Sequence, residues 1–209
     1  FYYSKNILYN YYKLLKFCGR EEVNFVSFSL TTSPPNRYNR ITNQRRIQMM
    51  FQNFYPNKLI RSVYELNWEE LSRTYSGVIF DIDNTLVPHG AAADEAAIQL
   101  FARIHNLGMK TMLVSNNGEA RVKPFAQQVQ TGYIYKAGKP KVEGYNKAMA
   151  KMGTDPNHTL FIGDQIFTDV WGANRAGIYT MLTQPVDKST DEIQIVIKRW
   201  FEGPFRKER

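Results

Sequence analysis

Hydrophobic and polar residues follow a regular order from Gly77 onward. Short apolar runs, each a few residues long, are separated by stretches in which apolar residues recur at helical spacing. A short unbroken apolar run is typical of a buried strand, and recurrence at i, i+3 and i+4 is typical of an amphipathic helix. Because the two patterns alternate along the chain, they predict an α/β fold with a parallel central sheet and helices on both faces.

The expected elements can be placed from this pattern. The strands are expected at Gly77–Asp81, Lys110–Ser115, Tyr133–Tyr135, Thr159–Gly163 and Ile178–Leu182. The helices are expected at Asp94–Asn106, Glu119–Gln128, Val142–Met152, Thr168–Ala176 and Thr190–Trp200. The first of these helices is followed by Leu107-Gly108, and a glycine at that place favours a helix C-terminus.

Residues 1–48 differ in composition from the rest of the chain. Tyr, Asn and Lys are crowded into residues 1–16, and residues 31–46 are polar and show no apolar periodicity. Such a segment buries too little apolar surface to fold by itself. The first methionines, Met49-Met50, come just before the regular pattern begins. We expect residues 1–48 to be a poorly ordered or non-native extension, with a transit peptide as the alternative, and residues 49–209 to form one domain.

The positive charge is concentrated in the same N-terminal segment. The formal net charge of the chain is +8, which by itself would suggest a nucleic acid or an anionic membrane as partner. Residues 1–48 contain eight Lys or Arg residues and two Glu residues, a net charge of +6, which leaves +2 for residues 49–209. The nearly neutral body lacks the basic stripe with interleaved aromatic residues that single-strand binders use. We therefore do not expect it to bind nucleic acid.

Two further properties limit the class of protein. Cys18 is the only cysteine, so an internal disulfide framework of the secreted type is excluded. No apolar run approaches the roughly 20 residues that a membrane-spanning helix needs. We expect a cytoplasmic protein that is soluble or in peripheral contact with the inner face of the membrane.

Pairs of acidic residues follow two of the expected strands. Asp81 and Asp83 come at the end of one apolar run, and Asp164 and Asp169 come after another. The carboxyl ends of strands in an open α/β sheet border the ligand crevice, and strand residues two apart share one face. Carboxylates at such a place are suited to hold Mg2+. The structural alternative is that these residues are turn and helix-terminus aspartates.

Two other expected strands are followed by groups that can bind a phosphoryl group. Ser115 offers a hydroxyl and Asn116 an amide donor after the second strand. Lys139 follows the third strand and precedes Pro140, which can begin the next helix. An ammonium group there could neutralise charge on a transferring phosphoryl group. Taken singly, Ser115 and Asn116 could instead cap a helix, and Lys139 could be a solvated surface group.

In order, spacing and strand-end position, these residues resemble the four motifs of the haloacid dehalogenase superfamily of phosphohydrolases. The motifs are Asp81-x-Asp83-x-Thr85, Ser115, Lys139 and Gly163-Asp164-x-x-x-Thr168-Asp169. The segments Phe80–Pro88 and Gly163–Val170 are similar to the YqeG-like, class IIIA branch, and the similarity runs from about Met50 to near the C-terminus. The resemblance implies a three-layer, Rossmann-like fold for residues 49–209.

The resemblance also implies a two-step reaction with a covalent intermediate. Asp81 would attack phosphorus to form an aspartyl-phosphate, which water then hydrolyses. Asp83 would protonate the leaving alcohol and later deprotonate the water, and its backbone carbonyl would bind the metal. An aspartate at position 83 favours a phosphatase over a dehalogenase.

The implied site residues form three overlapping groups. The catalytic residues would be Asp81, Asp83, Ser115 and Lys139. The residues that bind the substrate would be Thr85, Ser115, Asn116 and Lys139. The residues that hold Mg2+ would be Asp81, Asp83, Asp164 and Asp169.

The gaps between the motifs leave no room for a cap domain. Asp83 and Ser115 are 32 positions apart, and Ser115 and Lys139 are 24 apart, which is enough for one helix and one strand in each gap. A capless, open site suits a substrate whose bulk stays outside the pocket. The YqeG-like branch resembles mitochondrial phosphatases that act on phosphatidylglycerophosphate. A lipid phosphate at a membrane surface is therefore the expected substrate.

The C-terminal stretch Ile193–Arg209 bears on the same question. It combines apolar residues with five basic residues between Lys198 and Arg209, so it could lie on anionic lipid or pack on the sheet as a final helix. Two other functions stay open: a phosphatase for soluble or nucleic-acid phosphates, and a non-catalytic binding module of the same fold. The binding module is disfavoured because every catalytic position is filled. The sequence indicates no oligomeric state.

Overall fold

The computed structural model describes residues 52–187, 189, 202–206 and 208 of the 209-residue chain. The expected extension at residues 1–48, the expected helix at Thr190–Trp200 and the basic residues Lys198 and Arg199 lie outside the described residues. Within the described part, six parallel strands form one sheet. From one edge to the other, its strands are β1 Lys58–Ile60, β6 Tyr179–Thr183, β5 Thr159–Gly163, β2 Gly77–Phe80, β3 Lys110–Val114 and β4 Gly132–Ile134. The predicted α/β fold with a parallel central sheet is confirmed.

Five of the strands lie within one residue of the bounds expected from the sequence. The sixth, β1, was not predicted, because it is three residues long and lies at the edge of the sheet beside β6, with Lys58 and Leu59 exposed.

Three helices lie within one residue of their expected bounds, and a fourth, Trp68–Leu71, was not predicted. The region expected to be a helix from Thr168 to Ala176 instead contains a π-helical turn, Ile166–Val170, that leads into a short α-helix. Single π-helical turns are common at functional sites. The α-helices are α1 Trp68–Leu71, α2 Glu95–Asn106, α3 Glu119–Gln128, α4 Glu143–Met152 and α5 Trp171–Arg175, and 3-10 turns lie at Val63–Glu65, Pro156–His158 and Gly203–Phe205.

The central strand β2 is buried on both faces of the sheet. Phe80 packs in one layer, where its ring centroid lies 5.9 Å from that of Trp68 and 5.2 Å from that of Phe101. Ile79, on the opposite face, belongs to a second cluster that contains Tyr145. Because neighbouring strand residues point to opposite faces, this alternation fixes β2 from both sides. Its carboxyl end is therefore held rigidly in the middle of the sheet edge.

The described residues contain no inserted cap domain between the motifs. Only α2 and β3 lie between Asp83 and Ser115, and only α3 and β4 lie between Ser115 and Lys139. The carboxyl edge of the sheet is therefore uncapped, as expected. None of the helices in the described ranges is long and apolar enough to cross a membrane.

The packing around Trp68 predicts a large loss of stability on truncation. Trp68 is fully buried, and its indole Nε1 donates a hydrogen bond of 3.3 Å to the carbonyl oxygen of Val63. Trp68→Ala should lower the free energy of unfolding by about 3–5 kcal/mol, measured by urea denaturation. Ile98→Ala, on the exposed face of α2, is the matched control and should change it by less than about 0.5 kcal/mol. Equal effects of the two substitutions would contradict this view of the core.

Candidate active site

Two neighbouring strands place the nucleophile candidate beside its acidic partners. The strands β2 and β5 are paired in parallel with Phe80 opposite Ile162, and the N–H of Asp81 donates to the carbonyl oxygen of Ile162 at 3.0 Å. Asp81 therefore lies next to Asp164, which follows β5. One carboxylate oxygen from each of Asp81, Asp164 and Asp169 lies within 4.8 Å of the others, and all three residues are buried.

Lys139 binds two of these carboxylates. Its Nζ lies 2.6 Å from Oδ1 of Asp81 and 2.7 Å from Oδ1 of Asp169, and the side chain is buried. The backbone of Lys139 is fixed by Asn116, whose amide nitrogen donates to the lysine carbonyl oxygen at 3.1 Å and whose amide oxygen accepts from the lysine N–H at 2.7 Å. The loop after β3 thus holds the loop after β4, and Lys139 cannot move independently of the sheet edge.

The electrostatics of the cluster follow from its burial. Burial raises the pKa of Asp81 to about 8; the nearby Asp169 and Asp164 add to this effect and Lys139 opposes it. Burial alone would lower the pKa of Lys139, but the carboxylates of Asp169 and Asp81 outweigh burial and raise it above its ordinary value. Lys139 therefore stays charged, and ionisation of Asp81 is favoured by any further positive charge at the site.

Asp169 is held by several contacts in the π-helical turn. Its Oδ2 accepts a hydrogen bond from the N–H of Gln165 at 3.0 Å, which leaves Oδ1 directed at Lys139. The hydroxyl of Tyr145 donates to the carbonyl oxygens of Thr168 at 2.9 Å and of Asp169 at 3.2 Å. A Cβ atom at Gly163 would lie 2.6 Å from Oδ2 of Asp169. Only glycine fits at the end of β5 while Asp169 occupies this position.

The carboxyl group of Asp83 has a different set of partners from that of Asp81. Its Oδ1 accepts hydrogen bonds from the N–H of Gly90 at 2.8 Å and from Arg121 at 2.9 Å, and its Oδ2 accepts one from the side-chain amide of Asn117 at 2.6 Å. Because β2 ends at Phe80, both Asp81 and Asp83 lie beyond the strand, and a shared face from strand spacing stays a prediction. The side chain of Asp83 is not in the three-carboxylate cluster.

Sequence reasoning missed Asn117 and Arg121. Arg121 lies in the first turn of α3, where an arginine is usually a solvated surface group; here its Nε is buried and has no hydrogen-bond partner among the described residues. Asn117 continues the Ser115-Asn116 motif, so its place after β3 was the available signal. The proximity of both residues to Asp83 depends on the sheet order, which the local sequence does not reveal.

The remaining predicted residues lie around the same sheet edge. The hydroxyl of Thr85 is buried and donates to Oδ1 of Asp164 at 3.4 Å. Ser115 follows β3, directly beside β2, and its Oγ accepts a hydrogen bond from the N–H of Asn117 at 3.2 Å. Asn116 is exposed and holds Lys139 as described above. Phosphoryl binding by Thr85, Ser115 and Asn116 stays a prediction.

The acidic cluster fits a divalent cation. The three carboxylates converge in one buried place, and Lys139 contributes one ammonium group to two of them. Carboxylate oxygens are the ligands that hard divalent cations prefer. Asp81 and Asp164, with Asp169 beside them, are the residues that would hold such an ion.

Comparisons with known proteins agree with this geometry. A family model described as haloacid dehalogenase-like hydrolase matches residues 89–177. A protein of Bacillus subtilis (strain 168) named "Probable phosphatase YqeG" is 37% identical over 143 residues, which are 68% of this chain and 83% of that protein. The chain belongs to the haloacid dehalogenase-like hydrolases. Since the relatives of this hydrolase are named as phosphatases, the chain is an enzyme of the phosphatase class.

Two more distant similarities complete the comparison. "Phosphatidylglycerophosphate phosphatase 1, chloroplastic/mitochondrial" of Arabidopsis thaliana is 22% identical over 165 residues, which are 69% of this haloacid dehalogenase-like chain but only 47% of that protein. The solved structure of 3-deoxy-D-manno-octulosonate 8-phosphate phosphatase from Moraxella catarrhalis matches 66% of this chain and 93% of its own, with a TM-score of 0.43 and 12% identity. A likeness at that level adds nothing to the family assignment.

The close contact between Gly163 and Asp169 predicts that a methyl group added at position 163 lowers activity. Gly163→Ala forces Asp169 to move, because the new Cβ would overlap its carboxylate. A misplacement of this kind should lower kcat/KM for an aryl phosphate roughly 100-fold. Gly118→Ala is the matched control, since a Cβ there meets nothing within 4 Å and the backbone φ is −70°. Steady-state assays that show full activity for Gly163→Ala would contradict the assigned role of Asp169.

Proposed function

We propose that this phosphatase is Mg2+-dependent, works through a phosphorylated Asp81, and acts on phosphatidylglycerophosphate at a membrane surface. The observation that carries the proposal is the buried cluster of Asp81, Asp164 and Asp169 around Lys139. Three carboxylate oxygens within 4.8 Å of one another suit a divalent cation. The ammonium group of Lys139 suits the negative charge of a transferred phosphoryl group.

In the first chemical step, an oxygen of the Asp81 carboxylate forms a bond to phosphorus as the bond from phosphorus to the ester oxygen breaks. Asp83 donates its proton to the departing oxygen, so the alcohol leaves neutral. Lys139, already positioned against Asp81, neutralises charge on the phosphoryl oxygens. Bound Mg2+ would supply further positive charge at the same place.

In the second step, water attacks the phosphorus of the aspartyl-phosphate. Asp83, now ionised, takes a proton from that water, and the bond between Asp81 and phosphorus breaks to release inorganic phosphate. The hydrogen bonds from Asn117, Arg121 and Gly90 hold the Asp83 carboxyl group in one orientation for both proton transfers. Each group returns to its starting state at the end of the cycle.

The choice of a lipid substrate rests on the relatives and on the open sheet edge. Proteins named as phosphatidylglycerophosphate phosphatase are 22% and 25% identical to this chain. The absence of a cap from the described residues leaves space for a headgroup that stays attached to a membrane. The C-terminal stretch could lie on anionic lipid or pack against the sheet. Within it, Glu202 and Phe205 are buried, which favours packing for these two residues.

A panel of substrates tests the chemistry and the substrate separately. Phosphate release should be measured from phosphatidylglycerophosphate in anionic vesicles, from glycerol 3-phosphate and from a 5′-phosphorylated oligonucleotide, with Mg2+ or with chelator. Wild type should turn over the lipid fastest and only with Mg2+. Asp81→Asn should lose at least about 1000-fold in kcat, since it removes the nucleophile.

The outcomes of the panel are distinct. Undiminished Mg2+-dependent release by Asp81→Asn would show that Asp81 is not the nucleophile. Fast release from the soluble substrates with none from the lipid would reject the membrane substrate and leave the reaction class intact. No release from any substrate by the intact chain would favour the binding module.

The raised pKa of Asp81 predicts that Mg2+ binds more tightly as pH rises. Burial raises its pKa from an ordinary 3.8 to about 8. Without a cation, the folded state therefore binds this proton more tightly than the unfolded state does. As pH rises from 3.8 towards 8, the contribution of Asp81 to the free energy of unfolding is lost. Mg2+ needs the ionised carboxylate and competes with that proton. Between about pH 6.5 and 8.5, the Mg2+ concentration at half-maximal thermal shift should fall roughly 20-fold.

Asp81→Asn provides the control for this titration. It cannot ionise at position 81, so its Mg2+ midpoint should be weaker and nearly independent of pH over the same range. A wild-type midpoint that does not change between the two pH values would show that Asp81 is not a ligand.

A further inference from the structure

The segment Glu202–Arg206 lies against the loop that follows β5. Glu202 is fully buried, and its Oε1 accepts hydrogen bonds from the N–H groups of Ile166 at 2.7 Å and Phe167 at 3.4 Å. These two N–H groups belong to the first residues of the π-helical turn that carries Asp169. A residue 36 positions away in sequence therefore caps the turn that presents an acidic residue of the active site.

Arg206 connects Glu202 to the other acidic residue of this loop. One guanidinium nitrogen of Arg206 lies 3.3 Å from Oε2 of Glu202 and 3.3 Å from the backbone carbonyl oxygen of Asp164. Glu202 therefore binds the loop just after Asp164, and Arg206 binds Asp164 itself. Together, the two residues hold the connection between β5 and the π-helical turn at Asp164 and at Ile166.

The burial of Glu202 has to be explained. A glutamate is rarely buried completely unless its charge is paired and hydrogen-bonded, and removing its partners would leave a strongly unfavourable charge. Packing alone would be served equally well by an apolar residue at this position. A carboxylate adds hydrogen bonds to two helix-start N–H groups that would otherwise have no intrahelical partner.

Aromatic packing holds the segment in place. The ring centroid of Phe205 lies 5.3 Å from that of Phe54 and 6.1 Å from that of Phe167. Further along, the exposed Glu208 accepts a hydrogen bond from the N–H of Leu59 in β1 at 2.9 Å. The segment is thus attached at two places, one at the active-site loop and one at the edge of the sheet.

We propose that Glu202 and Arg206 are positioning residues for the cation site of this enzyme. They keep the loop from Asp164 to Asp169 in the conformation that brings both carboxylates to Asp81, and they touch neither substrate nor cation themselves. The inference rests on the proposed function, because it takes Asp164 and Asp169 as the residues that hold Mg2+.

The test measures Mg2+ binding without substrate. The variants Glu202→Gln, Glu202→Ala and Arg206→Gln are titrated with Mg2+ in the full chain, and binding is followed by calorimetry and by the rise in Tm. Loss of a contact that orients a ligand should weaken Mg2+ binding about 10- to 100-fold, with Glu202→Gln the mildest because it keeps one acceptor oxygen. The kcat for the aryl phosphate at saturating Mg2+ should change less than the Mg2+ midpoint.

Two control variants separate positioning from stability. Glu208→Ala removes the other attachment of the same segment and should leave the Mg2+ midpoint unchanged. Ile104→Ala removes a fully buried side chain near the C-terminus of α2 and should lower Tm while keeping the midpoint of the folded protein. If Glu202→Ala does not fold, Arg206→Gln decides the question, since the Arg206 side chain is 29% exposed and its loss leaves the core intact.

The possible results point to different failures. Unchanged Mg2+ affinity in folded Glu202→Gln and Arg206→Gln, with normal binding by wild type, would overturn the positioning role alone. Absence of Mg2+ binding by wild type itself would overturn the proposed metal dependence, and this inference with it. A parallel loss in Glu208→Ala would show that attachment of the segment as a whole, rather than Glu202 and Arg206, controls the site.

Discussion

The whole active site depends on the contact of Lys139 with two buried carboxylates. Each of Asp81, Asp164 and Asp169 would be strongly disfavoured in this place without positive charge nearby. The lysine offsets part of that cost, and its own burial is tolerated only because the acids surround it. The convergence of three carboxylate oxygens is what makes the cluster suited to a cation. Removal of Lys139, Asp164 or Asp169 would change the ionisation of Asp81.

The rest of the sheet edge serves to hold this cluster still. Asn116 fixes the backbone of Lys139 from the neighbouring loop, Tyr145 fixes the backbone of the turn that carries Asp169, and Gly163 leaves the space in which the Asp169 carboxylate lies. These contacts come from several strand ends of one parallel sheet. The rigid sheet therefore fixes the distances between active-site residues that are far apart in the sequence.

Sequence reasoning predicted those parts of the molecule that have a local signal. The apolar runs placed β2, β3, β4, β5 and β6 to within one residue, because a buried strand must be apolar on both faces. The acidic residues and Lys139 were found because they follow these predicted strands. The three residues of β1 lie at the edge of the sheet and show no such pattern. The sequence of the π-helical turn does not differ recognisably from that of an ordinary helix.

What the sequence could not supply is the pairing of residues that meet only in the folded chain. Arg121 has the composition of a surface helix residue, yet it binds Asp83. Glu202 has the appearance of a charge in a basic tail, yet it is fully buried. In both cases the sheet order and the path of the chain decide the partner, and neither is encoded in a short window of residues.

The separation of the site residues along the chain also affects how the enzyme is made. Lys139 is 58 positions after Asp81, and Asp169 is another 30 positions beyond. Parallel strands pair only when distant parts of the chain come together, which is a slow and late event in folding. During synthesis, Asp81 therefore emerges well before the groups that neutralise it. The nascent chain cannot complete its phosphatase site before Asp169 has emerged.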